Sequence, residues 1–314
     1  MRPSLAVDFG GFALANPVLA ASGCLGGGSD APAALVDLQR LGAVVTRSLT
    51  YSGSKGWPTP RAAETPSGLL SAVGIQNPGV QAFLAHDLPR YRKAGVPLIA
   101  SVAGSSLDEY VRVAGALHLQ HGIVALEVYL SCPDDERDGE PFYGRIERLT
   151  EIVGAVARLS RVPVFAKLPP FVPRLVETAQ ACIRAGAFGL TLIDAVPALA
   201  VDADRLRTKT ARPVAGLSGP AIKPIALAAV YQVAHAVPNA PVLGVGGVTT
   251  GEDAVEFLLA GAWAVQVGTA LLVDPSAHVE IARGIAEYLR TKGLESPADL
   301  RGRLRVRDQN GNGS

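Results

Sequence analysis

The sequence predicts a single α/β domain, a (β/α)8 barrel of the TIM type. Three observations predict it: eight short β-branched apolar runs recur along the chain, a longer helical pattern follows most of them, and polar residues gather where the runs end. The chain of 314 residues has the length of one such barrel and requires no second domain. We expect the barrel to occupy residues 1–300 and a polar, disordered tail ending in DQNGNGS to occupy residues 301–314.

The apolar runs divide the chain into successive strand and helix units. The runs predicted as barrel strands are residues 17–21, 43–47, 98–103, 123–130, 164–168, 189–194, 242–246 and 264–268. Helices are predicted at residues 107–120, 146–159, 173–185 and 251–260, and a hairpin that closes the barrel bottom at residues 5–14. Long βα loops are usually functional, and three are found after strands two, four and six, at residues 48–80, 131–145 and 195–223.

The charge and cysteine content exclude several classes of protein. Lys and Arg number 29 against 28 Asp and Glu, so the net charge of +1 provides no field that would attract nucleic acid or an anionic membrane. No stretch of about 18 apolar residues is present. Three scattered cysteines fit neither a disulfide framework nor a zinc site. We therefore expect a cytoplasmic protein that binds a small molecule and has no metal, nucleic-acid or membrane partner.

In barrels of this type, the active site is built where the strands end in their βα loops. The predicted strand ends carry many polar and glycine residues, which we take as candidate site residues: Ser22, Gly23, Arg47, Ser48, Ser101, Tyr129, Ser131, Cys132, Lys167, Asp194, Gly246, Gly247, Gly268 and Thr269. The glycine-rich ends of strands seven and eight, GVGG and VGT, lie where such barrels bind phosphate through backbone N–H groups. The alternative is that these glycines only close tight turns.

Two of these residues predict redox chemistry. Lys167 lies within the apolar run VFAKL, where an ammonium group is costly unless it faces a negative partner. A flavin ring that becomes anionic on reduction would be such a partner, and so would Glu127 in a salt bridge.

Cys132 opens the loop after strand four, close to the predicted site but on a segment able to move. A free thiol with a pKa of about 8.5 can act as a general base once its surroundings favour the thiolate. Taken alone, a loop cysteine is more often inert, as we expect of Cys182 on a helix, whereas Cys24 is expected to line the mouth without doing chemistry.

These residues lie in motifs by which the chain resembles the class 1 dihydroorotate dehydrogenases from Leu5 to about Leu289. The motifs are NPVLAASG (16–23), AETPSGLLSAVGIQNPG (63–79), SCP (131–133), GLSGPAIKP (216–224), GVGGVTTGEDAVEFLLAGA (244–262) and VQVGTA (265–270). The resemblance implies an FMN-dependent oxidoreductase acting on CH–CH groups, with Cys132 as acid/base catalyst, flavin N5 as hydride acceptor and Lys167 as a further catalytic residue. It also implies a homodimer.

The resemblance implies FMN contacts at residues whose types are retained here: Ala21, Ser22, Gly23, Lys167, Ser218, Gly219, Gly246, Gly247, Gly268 and Thr269. The expected cofactor set also includes Arg47, Ser48 and Ser101. Of these, Ser101 stands where the family has an asparagine, and Arg47 stands where it has a lysine that faces the substrate.

The substrate half departs from the family pattern. The resemblance implies substrate contacts at Arg47, Ser71, Tyr129, Asp134, Asp194 and Ala195, and four of these replace asparagines: Ser71, Tyr129, Asp134 and Asp194. Losing four amide hydrogen bonds would remove about 2 to 6 kcal/mol of recognition. A carboxylate beside the carboxylate of orotate would also repel it. We therefore hypothesise a small, cyclic, non-orotate substrate.

Two alternatives stay open. The chain is a genuine dihydroorotate dehydrogenase in which these positions have drifted, or it binds flavin without catalysis. The electron acceptor is also open between fumarate, oxygen, a quinone and NAD. Because the chain has no CxxC cluster and no GxGxxG dinucleotide-binding unit, NAD-linked turnover would require an electron-transfer partner subunit.

Overall fold

Eight short parallel strands close into a barrel in the structure, a computed structural model that describes residues 3–25, 34–133, 135 and 139–306. Each strand pairs with its chain neighbour, and the last pairs with the first to complete the barrel. Every strand lies inside a predicted run, so the (β/α)8 fold is confirmed. The barrel strands are β1 (Val18–Ala20), β2 (Ala43–Val45), β3 (Leu98–Val102), β4 (Ile123–Tyr129), β5 (Val164–Leu168), β6 (Gly189–Leu192), β7 (Val242–Val245) and β8 (Ala264–Val267).

Helices surround the barrel and cover the outer face of the strands, which explains why the strands are apolar on both faces. The predicted helices Ile146–Leu159 and Gly251–Ala260 have the expected bounds, whereas the other two are shorter, at Leu107–Leu117 and Leu175–Arg184. Helix starts follow from capping: the Thr250 side chain accepts from the Asp253 N–H in a capping box. The further helices are Val80–Ala82, Phe83–Asp87 (π), Leu88–Ala94, Lys223–Ala236, Thr269–Val273 and Ala277–Lys292, with 3₁₀ turns at Leu38–Arg40, Phe142–Gly144, Pro220–Ile222 and Pro297–Asp299.

Aromatic side chains close the N-terminal end of the barrel. The predicted hairpin forms between Val7–Asp8 and Ala13–Leu14. It carries Phe9, whose ring centroid lies 4.8 Å from that of Phe12 and 5.6 Å from that of Trp263. This end is therefore filled, and the opposite end is left for chemistry.

The long loops after β2 and β6 join in a four-stranded antiparallel sheet, which the sequence did not predict. Its strands, in spatial order, are Val196–Ala198, Ala215–Ser218, Gly68–Ser71 and Ala62–Thr65. The central pairing places Ser218 opposite Leu69 and Gly216 opposite Ser71. We call this the loop sheet. It fixes the two loops to each other, while a small hairpin of Val201–Asp202 and Arg207–Thr208 extends the second loop.

The start of the predicted tail packs against the barrel. The backbone N–H groups of Gly302 and Leu304 donate to the carbonyls of Leu258 and Leu259, and the Arg301 guanidinium lies 3.6 Å from the Trp263 ring centroid. The rest of that tail, residues 307–314, lies outside the described residues. Within the described ranges, no helix is long and apolar enough to cross a membrane.

The loop sheet has no space for a side chain at Gly68. A Cβ atom on this residue would lie 2.2 Å from the Ser218 carbonyl oxygen. Because backbone cannot move aside cheaply, we expect Gly68→Ala to lower the free energy of unfolding by about 1 to 3 kcal/mol in urea denaturation. Gly115→Ala is the control, because the nearest atom to its Cβ is a leucine methyl at 3.6 Å. This helical substitution should be neutral or stabilising by up to about 1 kcal/mol. Equal stability of the two variants would contradict the expectation.

Candidate active site

The predicted site residues meet at the C-terminal mouth of the barrel, because the carboxyl ends of all eight parallel strands face the same side. Hydrogen bonds connect neighbours around the rim. The hydroxyls of Ser48 and Ser101 lie 2.8 Å apart, and the Ser22 hydroxyl donates to the Thr46 carbonyl at 2.8 Å. The residues assembled there are Ala21, Ser22, Gly23, Arg47, Ser48, Ser101, Tyr129, Ser131, Cys132, Lys167, Asp194, Gly246, Gly247, Gly268 and Thr269.

Lys167 is a buried cation in the mouth. Its side chain is 7% exposed, and its Nζ lies 3.5 Å from Glu127 Oε1 and 4.0 Å from Asp194 Oδ1. Burial alone would lower the pKa of Lys167, but the negative charges of Glu127 and Asp194 outweigh it and raise the pKa above its ordinary value. The salt bridge to Glu127, one of the two partners considered from the sequence, is therefore present, and Lys167 is charged.

Asp194 stands just after β6 and faces the same space. Its Oδ2 accepts a hydrogen bond of 2.8 Å from the Ser131 hydroxyl, while its Oδ1 faces Lys167. The side chain is 17% exposed. Both carboxylate oxygens therefore have a partner within the chain, and the negative charge of Asp194 is partly balanced by Lys167.

Cys132 is less accessible than the sequence suggested. The residue is 1% exposed, and its Sγ lies 3.8 Å from the Tyr129 carbonyl oxygen. Burial raises the pKa of the Cys132 thiol to about 12, although hydrogen bonds with the Tyr110 hydroxyl and the Gly104 backbone oppose the rise. The sequence interpretation requires surroundings that favour the thiolate, whereas in this conformation burial keeps the thiol of Cys132 protonated.

The packing behind Cys132 explains its burial. The Tyr110 hydroxyl donates to the Tyr129 carbonyl at 2.5 Å, and the Tyr110 and Phe142 rings meet edge to face with centroids 5.4 Å apart. The Phe142 N–H donates to the Cys132 carbonyl at 3.2 Å. Tyr110 could not be identified from the sequence, because it lies on a helix distant from the loop in the chain.

Arg47 offers an unused hydrogen-bond donor. One of its terminal nitrogens, Nη1, donates to the Gln76 carbonyl at 3.0 Å. Its Nε is buried and finds no hydrogen-bond partner in the part of the chain that the structure describes. A buried donor without an acceptor costs about 1 to 3 kcal/mol, so this atom fits a ligand that carries an acceptor.

The turn after β7 has a backbone geometry that favours glycine. Gly246 and Gly247 have φ angles of +128° and +79°, in the region that favours glycine. A Cβ atom on Gly247 would lie 2.9 Å from the backbone nitrogen of Lys223. The turn therefore requires glycine for its own geometry, as the tight-turn interpretation of GVGG expects. Phosphate binding by these glycines stays a prediction.

The hydroxyls of Ser218 and Thr269 link the loop sheet to the loop after β8. Thr269 donates to the Ser218 hydroxyl at 2.8 Å, and Ser218 in turn donates to the Leu69 carbonyl at 3.2 Å. Gly219, next to Ser218, has a φ angle of +93°. The loops after β2, β6 and β8 thus converge on one place.

The remaining predicted residues lie elsewhere or outside the described chain. Ser71 is exposed on the loop sheet opposite Gly216, and a Cβ atom on Gly216 would lie 2.8 Å from that of Ala195, so these two positions are neighbours. Asp134 lies outside the described residues. Cys182 is buried on a helix as predicted, and Cys24 is half-buried between β1 and β8, where burial raises the pKa of its thiol to about 11.

The sequence interpretation named Glu127 as a partner of Lys167 but missed the buried polar layer to which it belongs. Glu127, Thr191 and Gln266 point into the barrel from β4, β6 and β8, and all three are fully buried. The signal that could have found them is a polar residue in the middle of an otherwise apolar strand. Among the described residues, no group of three or more His, Cys, Asp or Glu side chains could hold a metal ion.

Fold and site define a barrel enzyme whose chemistry lies at the C-terminal mouth around a buried lysine. A family model described as "Dihydroorotate dehydrogenase" matches residues 4–289. The chain therefore belongs to the dihydroorotate dehydrogenase family, and the expected class, an FMN-dependent oxidoreductase acting on CH–CH groups, is confirmed.

Relatives and a solved structure agree with this membership. The chain is 42% identical to "Dihydroorotate dehydrogenase B (NAD(+)), catalytic subunit" of Geotalea daltonii, over 97% of this chain and 99% of the relative. It is 43% identical to the protein of the same name from Desulforudis audaxviator, over 96% and 98%. A crystal structure of DHODH in complex with ferulenol from Eimeria tenella superimposes with a TM-score of 0.79 at 19% identity, covering 96% of this chain and 88% of that one, which supports the fold.

The burial of Cys132 predicts low thiol reactivity. With a pKa of about 12, roughly one thiol in 10⁵ is ionised at pH 7, and the thiolate is the reactive form. We expect iodoacetamide at pH 7 to modify Cys132 and Cys182 slowly in the folded chain and rapidly after denaturation in urea, as followed by peptide mass spectrometry. Cys182, with a thiol pKa also near 12, is the internal reference. Fast modification of Cys132 alone would show that the thiol is exposed and activated in solution.

Proposed function

We propose that the chain is the catalytic subunit of an NAD+-linked dihydroorotate dehydrogenase, which oxidises dihydroorotate to orotate in the cytoplasm. The observation that carries this proposal is the match to relatives of that name, at 42% and 43% identity over nearly their whole length. The hypothesis of a non-orotate substrate, drawn from the lost asparagines, is less well supported by these relatives. The structure also reduces, without removing, the repulsion on which that hypothesis depends, because Lys167 offsets part of the Asp194 charge.

We assign FMN to the mouth because the residues there fit it. The unpartnered Nε of Arg47 needs an acceptor, and the glycine turns of Gly246 and Gly247 let a phosphate approach the backbone. The residues proposed to hold FMN are Ala21, Ser22, Gly23, Arg47, Ser48, Ser101, Lys167, Ser218, Gly219, Gly246, Gly247, Gly268 and Thr269. When bound, FMN supplies a hydride acceptor at its N5.

Oxidation of a CH–CH bond removes the hydrogen of one carbon as a hydride and a hydrogen of the adjacent carbon as a proton. We assign the proton to Cys132, which opens the loop after β4 at the edge of the mouth. A thiol with a raised pKa needs help to act as a base, and the hydrogen bonds of Cys132 with the Tyr110 hydroxyl and the Gly104 backbone lower the pKa of the thiol against the effect of burial. Lys167 contributes a fixed positive charge beside the cofactor.

Substrate recognition is assigned to Arg47, Ser71, Tyr129, Asp134, Asp194 and Ala195. The planar guanidinium of Arg47 suits the carboxylate of dihydroorotate. Asp194, with its charge offset by Lys167, is an acceptor for a ring N–H group. Arg47 and Asp194 would thus bind the two different groups of dihydroorotate, its carboxylate and a ring N–H, in one pocket.

We further propose that the chain acts as a homodimer and passes its electrons to a partner subunit that binds NAD+. The names of the relatives support the partner, because they are catalytic subunits of an NAD(+) enzyme. The chain itself has no GxGxxG dinucleotide-binding unit. Three free cysteines fit the reducing cytoplasm. Light scattering of the purified chain tests the dimer.

Replacement of Cys132 tests the proposed reaction. We expect the purified chain to be yellow and to oxidise dihydroorotate with a dye as electron acceptor, and Cys132→Ser to lower kcat by about two to four orders of magnitude. Cys182→Ser is the matched control, because that thiol is equally buried but lies on a helix. Full activity of Cys132→Ser, or dihydroorotate turnover lost equally in both variants, would contradict the assigned role.

A second candidate function is oxidation of a different ring that carries an amine or a cation, and Asp194 is the observation that favours it. Asp194→Asn separates the two. If dihydroorotate is the substrate, removing a negative charge near an anion should raise kcat/KM for dihydroorotate by about tenfold, or about 1.4 kcal/mol. Ser131→Ala is the control, because it removes a partner of Asp194 and keeps the charge. The second candidate is supported if neither the native chain nor Asp194→Asn turns over dihydroorotate, while a cyclic substrate that carries an amine or a cation reduces the flavin.

A further inference from the structure

The barrel interior below the mouth is polar where it would ordinarily be filled by branched apolar side chains. Glu127, Thr191 and Gln266 are each 0% exposed. Burying a carboxylate costs several kcal/mol unless its partners compensate. A layer of this kind therefore calls for a reason beyond packing.

The hydrogen bonds in this layer fix the Glu127 carboxylate in one orientation. Its Oε2 accepts from the Thr191 hydroxyl at 2.9 Å and from the Gln266 amide at 2.9 Å. The two donors come from β6 and β8, so they hold the carboxylate from different parts of the barrel wall. Gln266 gives its NH₂ group to this bond although its own Oε1 finds no partner in the described part of the chain.

The other oxygen of Glu127 is left for Lys167. Oε1 has no hydrogen-bond partner among the described residues, and it lies 3.5 Å from the Lys167 ammonium. Thr191 also pairs with Lys167 in the register of β6 and β5. The layer therefore fixes the Glu127 carboxylate and directs its Oε1 toward the ammonium of Lys167.

We propose that Glu127 is a positioning residue for Lys167, which holds the ammonium in place and partly neutralises it, and thereby keeps the reduction potential of the bound flavin low. This inference rests on the proposed function, since it requires FMN beside Lys167. A cation near the flavin stabilises the anionic reduced form, and a fixed carboxylate on the far side of that cation reduces this stabilisation. Thr191 and Gln266 act one step further away, by fixing Glu127.

The test is Glu127→Gln in the full chain reconstituted with FMN. The amide keeps the shape of the side chain and removes its charge. We expect the affinity for reduced FMN relative to oxidised FMN to rise about tenfold, which is a rise of about 30 mV in a two-electron midpoint potential. Dye-coupled redox titration measures the potential, and fluorescence titration of the apoprotein measures the affinity for oxidised FMN. Thermal unfolding of the apoprotein shows whether the variant folds.

A double-mutant cycle with Lys167→Met separates positioning from a merely structural role. If Glu127 acts through Lys167, Glu127→Gln should shift the potential in the native background and leave it unchanged in the Lys167→Met background. Equal shifts in both backgrounds would overturn the proposal. Gln266→Leu gives a second variant that keeps the charge of Glu127 and releases its orientation, and it should shift the potential by less than Glu127→Gln. A shift as large as that of Glu127→Gln would also overturn the proposal, because neutralisation of the carboxylate would then not be the cause.

The outcomes distinguish this proposal from the proposed function. A chain that cannot bind FMN contradicts the assignment of the cofactor. A chain that binds FMN and is reduced by dihydroorotate, but whose potential is the same with Glu127→Gln, contradicts only the role of Glu127.

Discussion

The structure of the mouth depends on a single electrostatic constraint, the charge of Lys167 buried at the end of an apolar barrel. An isolated ammonium in such surroundings would lose its proton or destabilise the fold. Glu127 below it and Asp194 beside it keep it charged, and Thr191, Gln266 and Ser131 in turn supply hydrogen bonds to those carboxylates. Strands β4, β5, β6 and β8 are thus connected through one cation.

The loops after β2, β4, β6 and β8 form the rest of the mouth. The loop sheet joins the segments after β2 and β6, and its Ser218 bonds to Thr269 after β8. The loop sheet and this hydrogen bond therefore lie with the glycine turns after β7 and β8 on one side of Lys167. On the other side lie Tyr129, the last residue of β4, and Ser131 and Cys132 from the loop that follows it. Under the proposed function, the glycine side would bind the phosphate of the cofactor, and the side of Tyr129, Ser131 and Cys132 would face the substrate.

The strands and the residues at their ends could be predicted because they depend on local pattern. Each barrel strand is an apolar run, and parallel strands bring their ends together whatever their sequence. The loop sheet could not be predicted in this way, because Gly68–Ser71 and Ala215–Ser218 are short segments far apart in the chain. The burial of Cys132 depends on Tyr110 and Phe142, which only the folded chain brings together. The salt bridge of Glu127 to Lys167 was foreseen as an alternative, but its support by Gln266 was not.

The same constraint changes what the substitution at Asp194 means. From the sequence, a carboxylate where the family has an amide indicates repulsion of an anionic substrate. In the structure that carboxylate shares Lys167 with Glu127, so one positive group faces two negative groups and a net negative charge remains. An anionic substrate must then find its counter-charge elsewhere in the mouth. Under the proposed function, that counter-charge is the guanidinium of Arg47, so recognition of a substrate carboxylate would depend on Arg47 more than on the residues that replaced the asparagines.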